Sequence, residues 1–174
     1  MKRIIIFTVL IIFIPFFIVT MFGKNKIKEI QLYYVNNLNI RVKRLSSNDI
    51  DIIPLEQYIV GVLAGEMPIY FEIEALKAQA VASRSYALKR IEYNKEKEYD
   101  VVDSVLNQVY LDDNYLKEAW NNSYVENINK LRTAVNDTID EYLEYNGEVI
   151  DALFFSTSNG YTEDSNLVFN LDLP

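Results

Sequence analysis

Leu55-Glu56-Gln57-Tyr58-Ile59-Val60-Gly61-Val62-Leu63-Ala64-Gly65-Glu66-Met67-Pro68, running on into Glu74-Ala75-Leu76-Lys77-Ala78-Gln79-Ala80-Val81-Ala82-Ser83-Arg84-Ser85-Tyr86, decides how this chain is read. In the first half Leu55, Ile59 and Val62 fall on one helical face with Tyr58 beside them. Pro54 suits the first turn of that helix. Gly65-Glu66-Met67-Pro68 reads as its stop: Gly65 as a left-handed end, and Met67 pushed extended by Pro68. Glu66 is therefore expected at or just past a helix C-terminus. The second half predicts a long helix from Glu72 to Lys95, with Glu72 and Glu74 favouring its first turn. Leu76, Ala80, Ser83, Ala87 and Ile91 form one stripe, and the small residues between them let a neighbouring backbone come close.

Working outward, the 174 residues allow one domain with a modest core, and 50% hydrophobic content argues against wholesale disorder. The formal net charge of -8 gives no electrostatic footprint for phosphate backbones, so no nucleic-acid partner is expected. The chain has neither cysteine nor histidine. That excludes disulfides, thiol nucleophiles, Ser-His triads and zinc sites built on Cys or His. Catalysis is left to carboxylates, hydroxyls, amides, phenols, Lys or Arg, and thirteen tyrosines supply rings for stacking on flat ligands.

Toward the N-terminus, Ile4 to Phe22 is an uncharged run preceded by Lys2 and Arg3. A span takes roughly 20 apolar residues, so the reading is a cytoplasmic tail over 1–3, a single-pass anchor over 4–22 and a linker over 23–28. No small-x-small cleavage site follows the run, which favours an uncleaved anchor over a signal peptide. Residues 29–174 then form an α+β domain with a small antiparallel sheet and helices flanking a substrate cleft. Glu29 to Val35 and Asn39 to Leu45 alternate as strands around an Asn36-Asn37 turn, and Asp49 to Ile53 is a third short strand. Tyr99 to Tyr110 reads as irregular and Tyr115 to Val135 as one helix. Glu141 to Tyr145 and Glu148 to Phe155 make a hairpin on Asn146-Gly147. A hydroxyl-rich loop, Ser156 to Glu163, leaves its end. The chain stops at Leu171-Asp172-Leu173-Pro174 without a closing element, which reads as C-terminal truncation.

The motif blocks quoted above, with Gln108-Val109-Tyr110, Ala134-Val135-Asn136-Asp137-Thr138, Tyr145-Asn146-Gly147 and Ser156-Thr157-Ser158-Asn159-Gly160-Tyr161-Thr162-Glu163, resemble the stage II sporulation protein D family and its amidase-enhancer (LytB-type) relatives. The resemblance covers nearly everything after the anchor. It implies a sporulation-associated, membrane-anchored lytic transglycosylase on the extracytoplasmic side. Such a protein cleaves peptidoglycan glycan strands stripped of stem peptides by the amidase stage II sporulation protein P, in an engulfment machine with stage II sporulation protein M. The family's catalytic residue is the Glu of the Ala-Gly-Glu-Met-Pro segment, here Glu66. Some relatives carry Cys and His zinc ligands where this chain has Val101 to Asn107, so no cofactor is expected. The family's loop usually has two glycines after its second serine; here they are Asn159-Gly160.

Taken alone, a Glu in such a turn is an ordinary solvated residue. The resemblance gives it a role that needs one carboxylate: acid to the glycosidic oxygen, then base to the C6 hydroxyl of MurNAc, leaving a 1,6-anhydro end. That role requires a protonated start, which a helix C-terminus and apolar Met67 would favour. Gly65, Pro68 and Gln79 are expected to support the turn. Arg84 is either a substrate contact or an ion-pair partner of Glu74 or Glu56. Gln108 and Tyr110 suit sugar hydroxyls and ring faces, or the core. Ser156, Ser158, Gly160 and Thr162 suit hydroxyl and acetamido contacts, or a plain turn. Two rival readings remain: a non-catalytic glycan- or amidase-binding module, and an inactive truncated paralogue.

Overall fold

A computed structural model describes residues 2–22, 27–35 and 37–169. Its elements are α1 (Lys2–Phe22), β1 (Asn39–Lys43), β2 (Ile50–Pro54), α2 (Leu55–Glu66), α3 (Ile73–Tyr93), β3 (Val101–Val102), α4 (Asp113–Trp120), a 3-10 turn (Asn121–Ser123), α5 (Tyr124–Asp137), β4 (Glu144–Tyr145), β5 (Glu148–Val149) and α6 (Ser165–Phe169). The architecture is α+β. Helices α2, α3 and α5 pack on one another. Their buried faces, with Tyr58, Ile59, Leu63, Leu76, Ala80, Ile128, Leu131 and Val135, share one core with Ile40 and Val42 of β1.

The sheet has the order β2-β1-β3. β1 and β2 are antiparallel, Asn39 opposite Pro54 and Lys43 opposite Ile50. β1 alternates as its sequence predicts, with Ile40 and Val42 at 0% exposure and Arg41 and Lys43 outward. β3 instead joins β1 in parallel, at Val42–Val101 and Lys43–Val102, so the sheet is mixed rather than antiparallel. The helices α2 and α3 form the crossover that a parallel pair requires. Arg41 fixes the join: its backbone N–H donates to the Asp100 carboxylate at 2.7 Å and its guanidinium to the same group and to the Asn94 carbonyl.

Several expectations are corrected. Lys2–Phe22 is a helix with Pro15 inside it, but among the described residues no helix is long and apolar enough to cross a membrane. A span takes roughly 20 apolar residues, and the expected N-terminal transmembrane helix is not supported. Linker positions 23–26, Asn36 of the expected turn, and positions 170–174 at the chain end lie outside the described residues. Asn37 does adopt a left-handed φ of 46°. The predicted helix over Tyr115 to Val135 is two helices, broken where Asn121 takes φ 43°. The hairpin forms on Asn146 (φ 52°) and Gly147 (φ 81°) as expected, though its strands are short.

Residues 29–34 have no regular secondary structure and, among the described residues, pair with no strand. They lie along α5, where side chains take the place of a neighbouring strand. The Asn129 amide accepts from Ile30 N at 2.7 Å and donates to the Lys28 carbonyl at 2.9 Å. The Asn136 amide repeats this one step on, with Tyr33 N and the Gln31 carbonyl, each at 2.9 Å. Between them Arg132 donates to Glu29 Oε2 at 2.9 Å and to the Ile30 carbonyl at 3.0 Å. The spacing has a simple cause. Two turns of helix rise ~10.5 Å, and three extended residues span ~10 Å, so asparagines seven apart meet backbone groups three apart.

Arg84, at 1% exposure, ties the interior together. Its Nη2 and Nε reach Glu56 at 2.7 and 3.1 Å, its Nη1 donates to the Glu141 carbonyl at 3.0 Å, and Nη2 also faces the Val135 carbonyl. Ser85 adds a bond from Leu143 N at 2.8 Å, and Arg90 pairs with the 4%-exposed Asp151. Together they dock residues 141–151 on α3. Removing the guanidinium strands Glu56, which is 5% exposed. Arg84→Met is expected to cost about 3–5 kcal/mol by urea denaturation, and Glu56→Leu added to it should recover part of the loss.

Burial raises the hydroxyl pKa of three tyrosines. Tyr110 is pushed up to about 12 and Tyr58 and Tyr124 are pushed further still, desolvation being the largest cause in each. A folded-state pKa above the unfolded value near 10 gives stability that is full below pH ~10 and lost as pH rises through the folded values. Denaturation midpoints should therefore hold through neutral pH and fall steeply above pH ~10; a midpoint unchanged at pH ~11.5 would contradict the burial of these hydroxyls.

Candidate functional site

Helix α2 is apolar on nearly every face, and Tyr58, Ile59, Val60, Val62 and Leu63 are all at 0% exposure. Its two glycines mark the side where no side chain fits. A Cβ on Gly61 would stand 2.3 Å from the Tyr110 ring and 2.6 Å from the Leu111 carbonyl oxygen. One on Gly65 would stand 2.7 Å from the Val109 carbonyl oxygen. Segment 108–111 thus lies directly on the glycine face of α2, and Leu111 N donates to the Gly61 carbonyl at 3.2 Å. Gly65 is helical, not left-handed; α2 continues through Glu66 and ends at an extended Met67 (φ -122°, ψ 129°).

This contact carries Glu66. The Val109 N–H donates to Glu66 Oε1 at 2.7 Å, and that is the one protein hydrogen bond to the carboxylate among the described residues. Glu66 is half-buried, at the last position of α2. An N–H donor facing Oε1 makes that oxygen an acceptor, so a proton on the carboxyl belongs to Oε2. Oε2 is the oxygen left for a ligand.

The segment that supplies Val109 is held on both sides. Gln108, at 0% exposure, accepts from the Tyr58 hydroxyl at 3.1 Å and donates to the Ser83 carbonyl at 3.4 Å. Asn107 donates to the Tyr86 hydroxyl at 2.9 Å. Tyr110 stacks on Tyr58 with ring centres 5.3 Å apart and is 7% exposed. Beyond Glu66, the turn to α3 is closed by Phe71 N on the Pro68 carbonyl at 3.0 Å. Lys130 of α5 clamps it, donating to the Ile69 carbonyl at 2.8 Å and the Phe71 carbonyl at 2.6 Å.

The sequence-predicted site residues are therefore divided. Gly65 and Pro68 adjoin Glu66. Gln79 bonds Ser83 Oγ within α3 at 3.2 Å, and not the turn. Gln108 and Tyr110 lie beside Glu66 in sequence-distant packing but face inward, and Arg84 spends its donors on Glu56 and main-chain carbonyls. Ser156, Ser158, Gly160 and Thr162 are exposed. Their loop closes on itself, with Gly160 N on Ser158 Oγ at 2.9 Å and Gly160 alone taking a positive φ of 97°. It borders a groove of about 810 Å³ with Ala82, Leu143, Asp151, Phe154 and Phe155, a lining that does not include Glu66. Missed in the sequence were the Val109 amide, the Tyr58–Gln108–Ser83 chain, and Lys130. A backbone donor has no side-chain signature, and Lys130 looks like any helix-surface lysine.

Residues 101–107 do not fit zinc. Asp103 is spent on Arg44 at 3.1 Å and on Leu45 N at 2.8 Å, Asn107 uses both ends of its amide, and Val105 and Leu106 project at 87% and 80% exposure. Among the described residues no group of three His, Cys, Asp or Glu is placed to hold a metal.

The family described as stage II sporulation protein matches residues 44–145. A stage II sporulation protein D of Bacillus amyloliquefaciens is 39% identical over 141 residues, covering 79% of this chain and 41% of that protein. Its counterpart in Bacillus subtilis (strain 168) is 40% identical over the same share of each. An amidase enhancer of Bacillus subtilis (strain 168) is 39% identical over 114 residues, 66% of this chain and 14% of that protein. The chain thus spans about two fifths of the length of the D proteins it matches.

Gly65 offers a test in which two effects oppose. By helix propensity alone, Gly65→Ala would stabilise by about 1 kcal/mol. The Val109 contact reverses the sign, and overpacking should destabilise by about 1–3 kcal/mol in chemical denaturation. The backbone ¹H–¹⁵N resonance of Val109 should shift as its N–H leaves Glu66.

Proposed function

The chain belongs to the stage II sporulation protein D family, and from that premise we propose that its domain is a sporulation cell-wall enzyme, a peptidoglycan lytic transglycosylase with Glu66 as its acid and base. The observation that carries this reading is the Glu66–Val109 bond, which holds one carboxyl oxygen at 2.7 Å and leaves the other for substrate.

In the proposed reaction Glu66 Oε2–H protonates the oxygen that bridges MurNAc C1 to GlcNAc. The C1–O bond breaks, and the GlcNAc end leaves as an alcohol. The C6 hydroxyl of the same MurNAc attacks C1, and the Glu66 carboxylate takes its proton. A C1–O6 bond has replaced the C1–O4 bond, the carboxyl is protonated again, and no water, metal or cofactor is consumed. One carboxyl suffices because the nucleophile belongs to the substrate, whereas hydrolysis by the usual route needs a second carboxylate. The Val109 N–H contributes orientation: it fixes which oxygen carries the proton and holds the side chain against rotation.

The substrate and partners in this reading follow the family resemblance. Glycan strands stripped by stage II sporulation protein P would be the substrate, with stage II sporulation protein M completing the assembly, and peptidoglycan places the work outside the cytoplasm. A second reading is favoured by the likeness to an amidase enhancer: the domain binds glycan or an amidase and Glu66 is inert.

Digestion of peptide-free glycan strands followed by mass spectrometry separates the two. The chain should generate 1,6-anhydroMurNAc ends, and Glu66→Gln should lower their formation roughly 10²–10⁴-fold, the scale of lost general acid–base catalysis, with an unchanged circular dichroism spectrum. Equal product from the Gln variant would remove Glu66 from the mechanism; no product from either protein would favour the binding module.

A further inference from the structure

The turn that issues from Glu66 ends in two rings for which the core has no use. Along Met67-Pro68-Ile69-Tyr70 the side chains alternate. Met67 and Ile69 pack against the core, while Pro68 is exposed and Tyr70 is 78% exposed. Phe71 follows at 39% exposure, its ring edge-on to Tyr70 with centres 5.5 Å apart. Large apolar rings in so exposed a turn would ordinarily be mobile. Here the backbone on either side of Tyr70 is fixed, since Lys130 donates to the carbonyls of Ile69 and Phe71 and Phe71 N is bonded to Pro68. The backbone beneath the pair is held, so a ligand that stacks on the rings has no loop to order.

Its position names the ligand. Four residues of chain put Tyr70 within roughly 14 Å of Glu66, Cα to Cα. A glycan strand whose scissile bond sits at Glu66 is long enough to reach this turn. Pyranose rings present apolar C–H faces that stack on aromatic rings, and a tyrosine adds a hydroxyl for sugar oxygens. Exposed rings elsewhere, such as Tyr145 (58%) and Tyr161 (82%), belong to the hairpin and the C-terminal loop.

We propose that Tyr70, backed by Phe71 and braced by Lys130, is a saccharide-stacking platform that binds a sugar of the same glycan strand that is cleaved at Glu66. The proposal rests on the reading of this domain as one that acts on glycan. Tyr70 is a substrate-binding residue and takes no part in proton transfer. Its loss weakens binding and leaves the chemical step intact.

The test uses the full chain with Glu66→Gln, which binds without cleaving, and soluble N-acetylglucosamine tetramer and peptide-free glycan strands as probes. Tyr70→Ala should weaken binding by calorimetry about tenfold, the scale of one stacking contact. Tyr70→Phe should retain most of it, because the ring face is kept. Tyr115→Ala, at an exposed ring on α4, should bind as the parent does. With Glu66 intact, Tyr70→Ala should raise KM for glycan strands with kcat within about twofold. Unchanged binding and KM in Tyr70→Ala, or a Phe variant as weak as the Ala variant, overturns the platform. If Glu66→Gln abolishes anhydro ends while Tyr70→Ala changes nothing, the platform fails and the proposed function stands. If Tyr70→Ala weakens binding yet no protein forms anhydro ends, the platform stands and the transglycosylase reading fails.

Discussion

One guanidinium inside the domain holds four parts of the chain. Arg84 comes from α3, its carboxylate partner Glu56 from the first turn of α2, and its two carbonyl acceptors from the end of α5 and the start of the hairpin segment. A charge pair so deeply buried gives little net stability, because both ions lose their water. Its effect is positional. The planar fork accepts partners in one arrangement only, so α2 cannot slide or rotate on α3 without leaving a charge unmatched. Apolar contacts among Leu, Ile and Val would tolerate such a slip.

With α2 fixed at its first turn, its far end becomes a defined place. The glycine face then admits segment 108–111 to van der Waals contact, and the amide that meets Glu66 comes from that segment. The same close approach buries Tyr58, Gln108 and Tyr110, whose hydrogen bonds and stacking keep the segment from lifting. The site is thus set by backbone proximity, with side chains acting mainly as braces. At this end of α2, Glu66 is half-buried and the rings of Tyr70 and Phe71 are exposed.

Much of this was legible in the sequence. The helical spacing of Leu55, Ile59 and Val62, the alternation of Ile40 and Val42, and Asn146-Gly147 each specify local structure through periodicity or backbone preference, and each formed. Other features depend on a partner the sequence does not name. Ile30, Leu32 and Tyr34 alternate as a strand would, but the segment forms no strand and its hydrogen bonds go to the side chains of a helix. Gly65 looked like a helix stop because glycine commonly serves there, whereas its lack of a Cβ serves a neighbour 44 residues on, at Val109. Nothing at Trp120-Asn121 signals a break by glycine or proline. The Arg84–Glu56 pair was one of two open choices, and only burial decides it. The hydroxyl loop was open to hydroxyl and acetamido contacts or to a plain turn; it folds on itself beside a groove that does not include Glu66, its Asn and Ser side chains satisfied by their own backbone.

The asparagine ladder on α5 has a consequence for how the N-terminal arm tolerates change. Asn129, Arg132 and Asn136 grip main-chain atoms of residues 28–33, and a side chain enters only through Glu29. Substitutions at the exposed positions 30, 31, 33 and 34 leave the gripped atoms in place, so these positions are free to drift, whereas Leu32 packs against the core. Proline at 30 or 33 is the exception, since it deletes the N–H that the ladder reads. A one-residue insertion or deletion between Lys28 and Tyr33 is far more damaging than any ordinary replacement, because it puts the two asparagines out of step with the chain they hold. The arm is constrained in length, and in composition chiefly at Glu29 and at Leu32, which packs against the core.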